Sequence, residues 1–139
     1  MIFIDTSAFL ALVNEKDKNH AAAVQFLEEI KNGKIRVKKL ITSDYIIDET
    51  LTRIRYSVGH NEAVEWGNDI LASRVIEKIE IGSEIFGYAW ELFRTYYDKK
   101  LSFTDCTSFA LMKKRDIEKA FSFDGDFEKI GFFLLPLRK

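Results

Sequence analysis

Proline is almost missing from this chain: Pro136 is the one example in 139 residues, so proline breaks no helix in the interior and long helices are expected. Cysteine is equally scarce. Cys106 stands alone, which excludes an internal disulfide and suits a reducing cytosol, so a cytoplasmic location is expected. No apolar run approaches the roughly 20 residues that span a bilayer, and no basic segment precedes the apolar residues at the amino terminus. Neither a membrane anchor nor a secretory leader is therefore expected. His20 and His60 have no Cys, Asp or His partners at zinc spacing, so both should serve as surface or capping groups. An excess of either charge is missing too. The net charge of −1 leaves nucleic acid open as a partner, because bound divalent cations would add positive charge that the count omits.

What is present is the composition of a globular domain, 47% hydrophobic and 31% charged. One domain over residues 1–139 is expected, large enough to bury a core without staples. The pattern alternates. Residues 2–4 read as a short buried strand, followed by helices over about Ser7–Val13 and Lys18–Asn32. Leu40–Thr42 reads as a strand, Ser43 caps a helix running to about Val58, and a further helix covers about Glu62–Ala72. Val75–Ile81 is the third strand. Gly82-Ser83 then opens a helix with Ile85, Phe86, Ala89, Trp90, Phe93 and Tyr97 along one face, and Ser102/Asp105 opens another that runs to about Arg115. Phe121–Phe123 and Phe132–Leu135 complete the set. Strands separated by helices predict an α/β fold: a parallel, twisted sheet of four to five strands with helices on both faces.

Four acids occupy places where an acid is locally expensive. Asp5 ends the apolar run Met1–Ile4, Asp124 ends Ala120–Phe123, Asp105 opens the apolar segment Cys106–Met112, and Glu49 lies inside the amphipathic stretch Tyr45–Leu51. Ligands of open parallel sheets bind beyond the carboxyl ends of the strands, so Asp5 and Asp124, read as directly following their strands, should project from that edge. Asp105 and Glu49 sit near the starts of helices that begin there. Converging carboxylates must protonate, pair with bases or hold a cation. No Arg or Lys lies within three residues of Asp5 or Asp105, which favours a divalent metal. Each acid also has an ordinary alternative: a strand stop for Asp5, a helix cap for Asp105, a turn for Asp124, and a surface pair with Arg53 for Glu49.

These segments, taken in order, resemble the PIN domain family, and most closely its VapC-type toxin ribonucleases. Ile2-Phe3-Ile4-Asp5-Thr6-Ser7 is similar to the first motif, Ile47-Asp48-Glu49-Thr50-Leu51 to the segment with the family's glutamate, Ser102-Phe103-Thr104-Asp105 to the third, and Ser122-Phe123-Asp124-Gly125-Asp126-Phe127 to the last, with Ser122 where Thr is frequent. The resemblance implies a divalent-metal-dependent endoribonuclease, the toxin of a toxin–antitoxin pair, with Asp5, Glu49, Asp105 and Asp124 as catalytic and metal-binding acids. It implies Asp126 as a supplementary metal ligand, and Thr6, Ser7 and Thr104 as supporting hydroxyls. It further implies one or two Mg²⁺ or Mn²⁺ ions, an RNA substrate, a small antitoxin and a homodimer. An RNA-processing nuclease outside such a pair, or a non-catalytic RNA- or protein-binding scaffold, is the alternative.

Other readings fit less well. A phosphatase using Asp5 as nucleophile would want an acid two residues on, where Ser7 stands. Asp124, Asp126 and Glu128 imitate an EF-hand, yet Lys129 takes the glycine position and Leu135 that of the final glutamate. Cys106, beside Asp105, is expected to pack in the core with a raised pKa. Trp66, Trp90, Tyr96 and Tyr97 are expected in the core or at an interface rather than stacking on bases, and the apolar positions Ile46, Ile54, Tyr56, Val58, Val64 and Trp66 suit an interface or the core equally. Lys31–Lys39, Lys99-Lys100 and Lys113-Lys114-Arg115 read as solvated basic clusters available to an RNA backbone.

Overall fold

The computed structural model describes residues 1–137; the last two residues of the expected domain, Arg138 and Lys139, lie outside the described residues. The elements in chain order are β1 (Ile2–Ile4), α1 (Thr6–Val13), α2 (His20–Lys31), β2 (Leu40–Ser43), α3 (Asp44–Ser57) and α4 (His60–Ala72). Then come β3 (Ile76–Ile79), α5 (Gly82–Thr95), α6 (Phe103–Lys114), β4 (Lys119–Phe121), α7 (Asp126–Ile130) and β5 (Phe133–Leu135). The five strands form one sheet in the order β3-β2-β1-β4-β5, and every pairing is parallel. Successive strand residues point to opposite faces. Since Ile2, Phe3 and Ile4 are all buried, as are Leu40 to Ser43, both faces of the sheet centre are covered.

The strand order decides where a site can form. The chain steps outward from β1 to β2 to β3, then crosses back to lay β4 on the other side of β1. Connections therefore diverge between β1 and β4, leaving a crevice at their carboxyl ends. Asp5 follows β1, and its amide still donates to the Phe121 carbonyl of β4 at 3.0 Å. The Thr42 hydroxyl, on β2, donates to the Ile4 carbonyl at 3.0 Å and fixes the end of β1 from the other flank.

Helix α6 is buried on every side from Cys106 to Met112, Thr107 and Ser108 included. Its Phe109 is fully buried and meets Phe127 of α7 edge-on at 4.9 Å. Ile46 and Ile54 of α3 belong to the core, whereas Tyr56 is 85% exposed and Val58 and Val64 are also exposed. His20 begins α2 and its Nδ1 lies 2.7 Å from the Ala11 carbonyl, tying α2 to the end of α1. His60 begins α4 on the surface. Among the described residues, no helix is long and apolar enough to cross a membrane.

Four expectations are corrected. The fourth strand is Lys119–Phe121, two residues earlier than Phe121–Phe123, because Ser122 leaves the β1 ladder to bond its hydroxyl to Asp5. Asp124 therefore stands in a loop rather than directly after its strand. The third strand stops at Ile79, and Ile81, whose amide donates to Asp44 Oδ1 at 3.0 Å, turns into α5 instead. Residues Asp126–Ile130 make a short helix that the sequence pattern did not lead us to expect, and Gly131 ends it at φ 108°, in the left-handed region where a Cβ is penalised. On α5 the expected single face splits: Ile85, Ala89 and Leu92 are buried against the core, while Phe86, Trp90 and Phe93 are 45%, 50% and 41% exposed and Tyr97 is 90% exposed. The small Ala89 admits close packing of α6; Trp90, one residue on, is rotated outward by about 100°.

Candidate active site

The crevice between β1 and β4 holds acids from three segments. Asp5 is the N-cap of α1 and is only 4% exposed. Its Oδ2 accepts three bonds: from the Ser7 hydroxyl at 2.8 Å, the Ser122 hydroxyl at 2.9 Å and, more weakly, the Ser7 amide at 3.4 Å. The two hydroxyls are in turn oriented by backbone. Ser7 Oγ accepts from the Phe123 amide at 2.9 Å, and Ser122 Oγ accepts from the Asp124 amide at 3.0 Å. Each hydroxyl has one proton, already given to Asp5, so the 3.1 Å approach of the two Oγ atoms is a contact and not a further bond. This network staples the end of β1 to the loop after β4 and leaves Asp5 Oδ1 as the oxygen available to a ligand.

Asp105 lies on the first turn of α6 and completes a capping box with Ser102: its amide donates to Ser102 Oγ at 3.0 Å, and its Oδ2 accepts from the Ser102 amide at 3.2 Å. The cap role is thus real, yet it uses one oxygen and does not exhaust the residue. Asp124 Oδ1 accepts from the Asp126 amide at 2.9 Å, a local turn that starts α7. Carboxylate oxygens of Asp105, Asp124 and Asp126 all lie within 4.8 Å of one another. Near them the cation of Lys129 approaches Asp126 Oδ1 at 3.5 Å, largely in solvent.

Burial and crowding set the electrostatics. Asp105 is pushed up to about 7, first by burial, then by the charges of Asp5 and Asp124, with the Ser102 bonds pulling the other way. Asp5 is also raised, chiefly by burial, while the two serine hydroxyls hold part of that rise back. A site that resists its own ionisation in this way is one where a cation would relieve the repulsion. Cys106 is fully buried, and its thiol is pushed up to about 11 by burial and by Asp105. It packs as an apolar group, as expected.

The expected site residues divide. Asp105, Asp124 and Asp126 meet at the predicted edge, and Asp5 lies near enough for its charge to raise Asp105. Glu49, half-buried on the second turn of α3, is, like Asp5, not among the three carboxylates that lie within 4.8 Å of one another. Of the supporting hydroxyls, Ser7 bonds an acid. Thr6 does not: it is buried and takes only a long 3.4 Å approach from Thr50. Thr104 contributes its carbonyl to the Thr107 hydroxyl at 2.6 Å, and no hydrogen bond joins its own hydroxyl to an acid among the described residues. Ser122, whose hydroxyl bonds Asp5, was not among the expected site residues. Its signal was the hydroxyl two positions before Asp124, hidden by its placement inside a strand.

The PIN domain model matches residues 2–133. The chain belongs to the PIN domain family. Among PIN relatives, it is 34% identical over 132 residues to the 23S rRNA-specific endonuclease VapC20 of Mycobacterium tuberculosis, covering 95% of both proteins. It is 29% identical over 125 residues to a VapC ribonuclease of Archaeoglobus fulgidus, covering 89% of this chain and 77% of that one. The crystal structure of M. tuberculosis VapC20, described as a sarcin–ricin loop cleaving toxin, superposes with a TM-score of 0.86 at 32% identity, over 95% of this chain and 96% of that one. The VapBC2 complex of Rickettsia felis, bound to a promoter DNA fragment, shares the PIN fold at TM-score 0.69 and 15% identity, over 96% and 97% of the two chains.

Proposed function

We propose that this chain is a divalent-metal-dependent endoribonuclease and the toxin of a cytoplasmic toxin–antitoxin pair. The observation that carries the reading is the meeting of Asp105, Asp124 and Asp126 beside the buried Asp5, with Asp105 raised to about 7. Membership of the PIN family and 34% identity to a 23S rRNA-specific endonuclease support it.

The donor set fits Mg²⁺ or Mn²⁺: all are hard carboxylate oxygens, with no sulfur or imidazole among them. Asp5, Asp105 and Asp124 are the ligands we assign, with Asp126 supplementary. A bound ion of this class polarises a scissile phosphate and activates water for in-line attack. Asp5 presents Oδ1 because Ser7 and Ser122 hold Oδ2. Asp105 presents its second oxygen because Ser102 holds the first. Asp124 and Asp126 are kept adjacent by the turn that opens α7. Glu49, standing apart, is assigned an outer role through water. RNA approaches with its backbone toward the edge, and the expected products carry 5′-phosphate and 3′-hydroxyl ends. A partly apolar groove of about 860 Å³ between α2 and β5, bordered by Ser122 and Phe123, suits a segment of a small antitoxin.

End-group analysis of RNA incubated with Mg²⁺, Mn²⁺ or chelator tests the proposal. Cleavage should require the ion and be lost in Asp105→Asn. Full cleavage in chelator would refute it.

A further inference from the structure

Cations gather at the edge of the sheet opposite to the acids. The register aligns Ile2 of β1 with Leu40 of β2 and Lys119 of β4, Leu40 with Ile76 of β3, and Lys119 with Phe133 of β5. All five parallel strands therefore start level. An acid follows each of the first four, directly or within three residues: Asp5 after β1, Asp44 after β2, Glu80 after β3 and Asp124 after β4. The segments that enter the strands carry the other sign. Residues 31–39, ahead of β2, hold five cations and no acid. Arg74 precedes β3, and Arg115 and Lys119 flank the entry to β4, where Asp116 and Glu118 are the opposing acids. Lys39 is paired with Glu77 at 3.0 Å, and Lys114, at the end of α6, with Glu84. Lys34, Arg36, Lys38, Arg74, Arg115 and Lys119 are exposed and form no ion pair among the described residues.

From this polarity we infer that the amino edge of the sheet is a second RNA contact, holding the phosphate backbone of a duplex stem attached to the loop being cut. The inference rests on the nuclease reading and adds the part of the substrate recognised outside the site. A chain of net charge −1 with an acidic site has little attraction for RNA to offer at that site beyond its bound ion. The six unpaired cations are where release of counterions from a backbone can supply it. Lysines on a loop are ordinary when acids are interspersed with them; here the two signs are sorted along the strand direction. The entries to β2, β3 and β4 carry no aromatic residue. They offer contacts to phosphates and no stacking for unpaired bases, and duplex RNA is held in that way, by backbone and shape. Strands of three or four residues set the two edges about 10–13 Å apart before the loops are added. RNA restricted to the cut loop therefore reaches the acids alone, while RNA with an extended stem reaches both edges.

The test combines fluorescence anisotropy of a loop-free RNA duplex, in chelator so that nothing is cut, with cleavage of two hairpins in Mg²⁺. The hairpins share one cut loop, on a short and on an extended stem. Arg36→Gln with Lys38→Gln, both exposed positions, should weaken duplex binding about tenfold and lower its salt slope by about 2. Glu at the same two positions should weaken it further. The unaltered chain should bind the extended hairpin more tightly than the short one, and both variants should lose that advantage while cutting the short hairpin within about twofold of the normal rate. Saturating duplex should leave cleavage of the short hairpin unchanged, because it occupies the other edge. Unchanged duplex affinity in both variants would overturn the inference. So would competition between the duplex and the short hairpin, which would place the duplex at the acids. Loss of binding to vesicles of anionic lipid, with duplex affinity unaffected, would assign the cations to a membrane surface instead. Each of these results leaves metal-dependent cleavage of the short hairpin standing; absence of cleavage of either hairpin would instead remove the nuclease reading itself.

Discussion

Stripped of metal, this protein should lose stability as pH rises from 5 to 8, the reverse of ordinary carboxylate behaviour. Asp105 titrates near 3.8 when unfolded and about 7 when folded. Between those values the folded chain binds more protons than the unfolded one, and stability falls with pH by about 1.4 kcal/mol per unit. The contribution is greatest below 3.8, declines through the window, and is flat above about 7. From pH 5 to 8 this amounts to about 2–3 kcal/mol from Asp105, and Asp5, shifted in the same direction, adds to it. Urea unfolding in chelator at several pH values measures the slope. Millimolar Mg²⁺ should recover stability at pH 8, because the ion binds the ionised form. Asp105→Asn keeps an oxygen to accept the Ser102 amide yet cannot ionise. In chelator at pH 8 it should exceed the unaltered protein by about 2 kcal/mol, while losing the response to Mg²⁺. A metal-free protein whose stability is level, or rises, between pH 5 and 8 would refute the electrostatic account of this site.

Other outcomes follow from single contacts. Ser122→Ala removes one of two hydroxyls on Asp5 Oδ2 and frees the Asp124 amide, and should slow cleavage at least tenfold, with Ser122→Thr restoring most of it; equal loss in both variants would argue against a hydrogen-bonding role. Glu49→Gln should cost less activity than Asp105→Asn in the same assay, since Glu49 stands outside the close carboxylates. Among the described residues Ser108 Oγ is buried without a partner, so Ser108→Ala should be neutral or stabilise by about 1 kcal/mol in urea. Phe109→Ala should destabilise by about 3–5 kcal/mol and, by loosening Phe127 on α7, weaken Mn²⁺ binding measured calorimetrically.

Legibility differed by the kind of information each residue carried. Asp5 could be read because an acid after three buried apolar residues has one place to go, the end of the strand. Asp105 could be read from its place at the opening of an apolar helix with no basic residue nearby, and Asp126 from the resemblance of its motif to the family's last one. Glu49 was harder, since a residue inside a helix points wherever rotation and tilt of that helix aim it, and those are set by packing of α3 on its neighbours. The α5 stripes failed for a related reason. Ile85/Ala89/Leu92 and Phe86/Trp90/Phe93 have the same period, so periodicity cannot choose between them; the volume that α6 admits chooses Ala89 and turns Trp90 outward.

The misplaced fourth strand shows why the site nevertheless emerged. The error lay in where β4 begins and ends and not in its pairing, so the alternation of its side chains between the two faces is untouched. It moved Ser122 out of the strand and Asp124 three positions beyond its end, without changing which edge of the sheet either one reaches. That edge is fixed by direction and order: all strands run parallel, and β4 lies beside β1. Given those two facts, residues following β1 and β4 must meet at the carboxyl side of one crevice, whatever the exact ends of the strands. The gathering of Asp5, Asp105 and Asp124 is therefore a property of topology, while the fine orientation that Ser7 and Ser122 impose on Asp5 depends on side-chain contacts that only coordinates display.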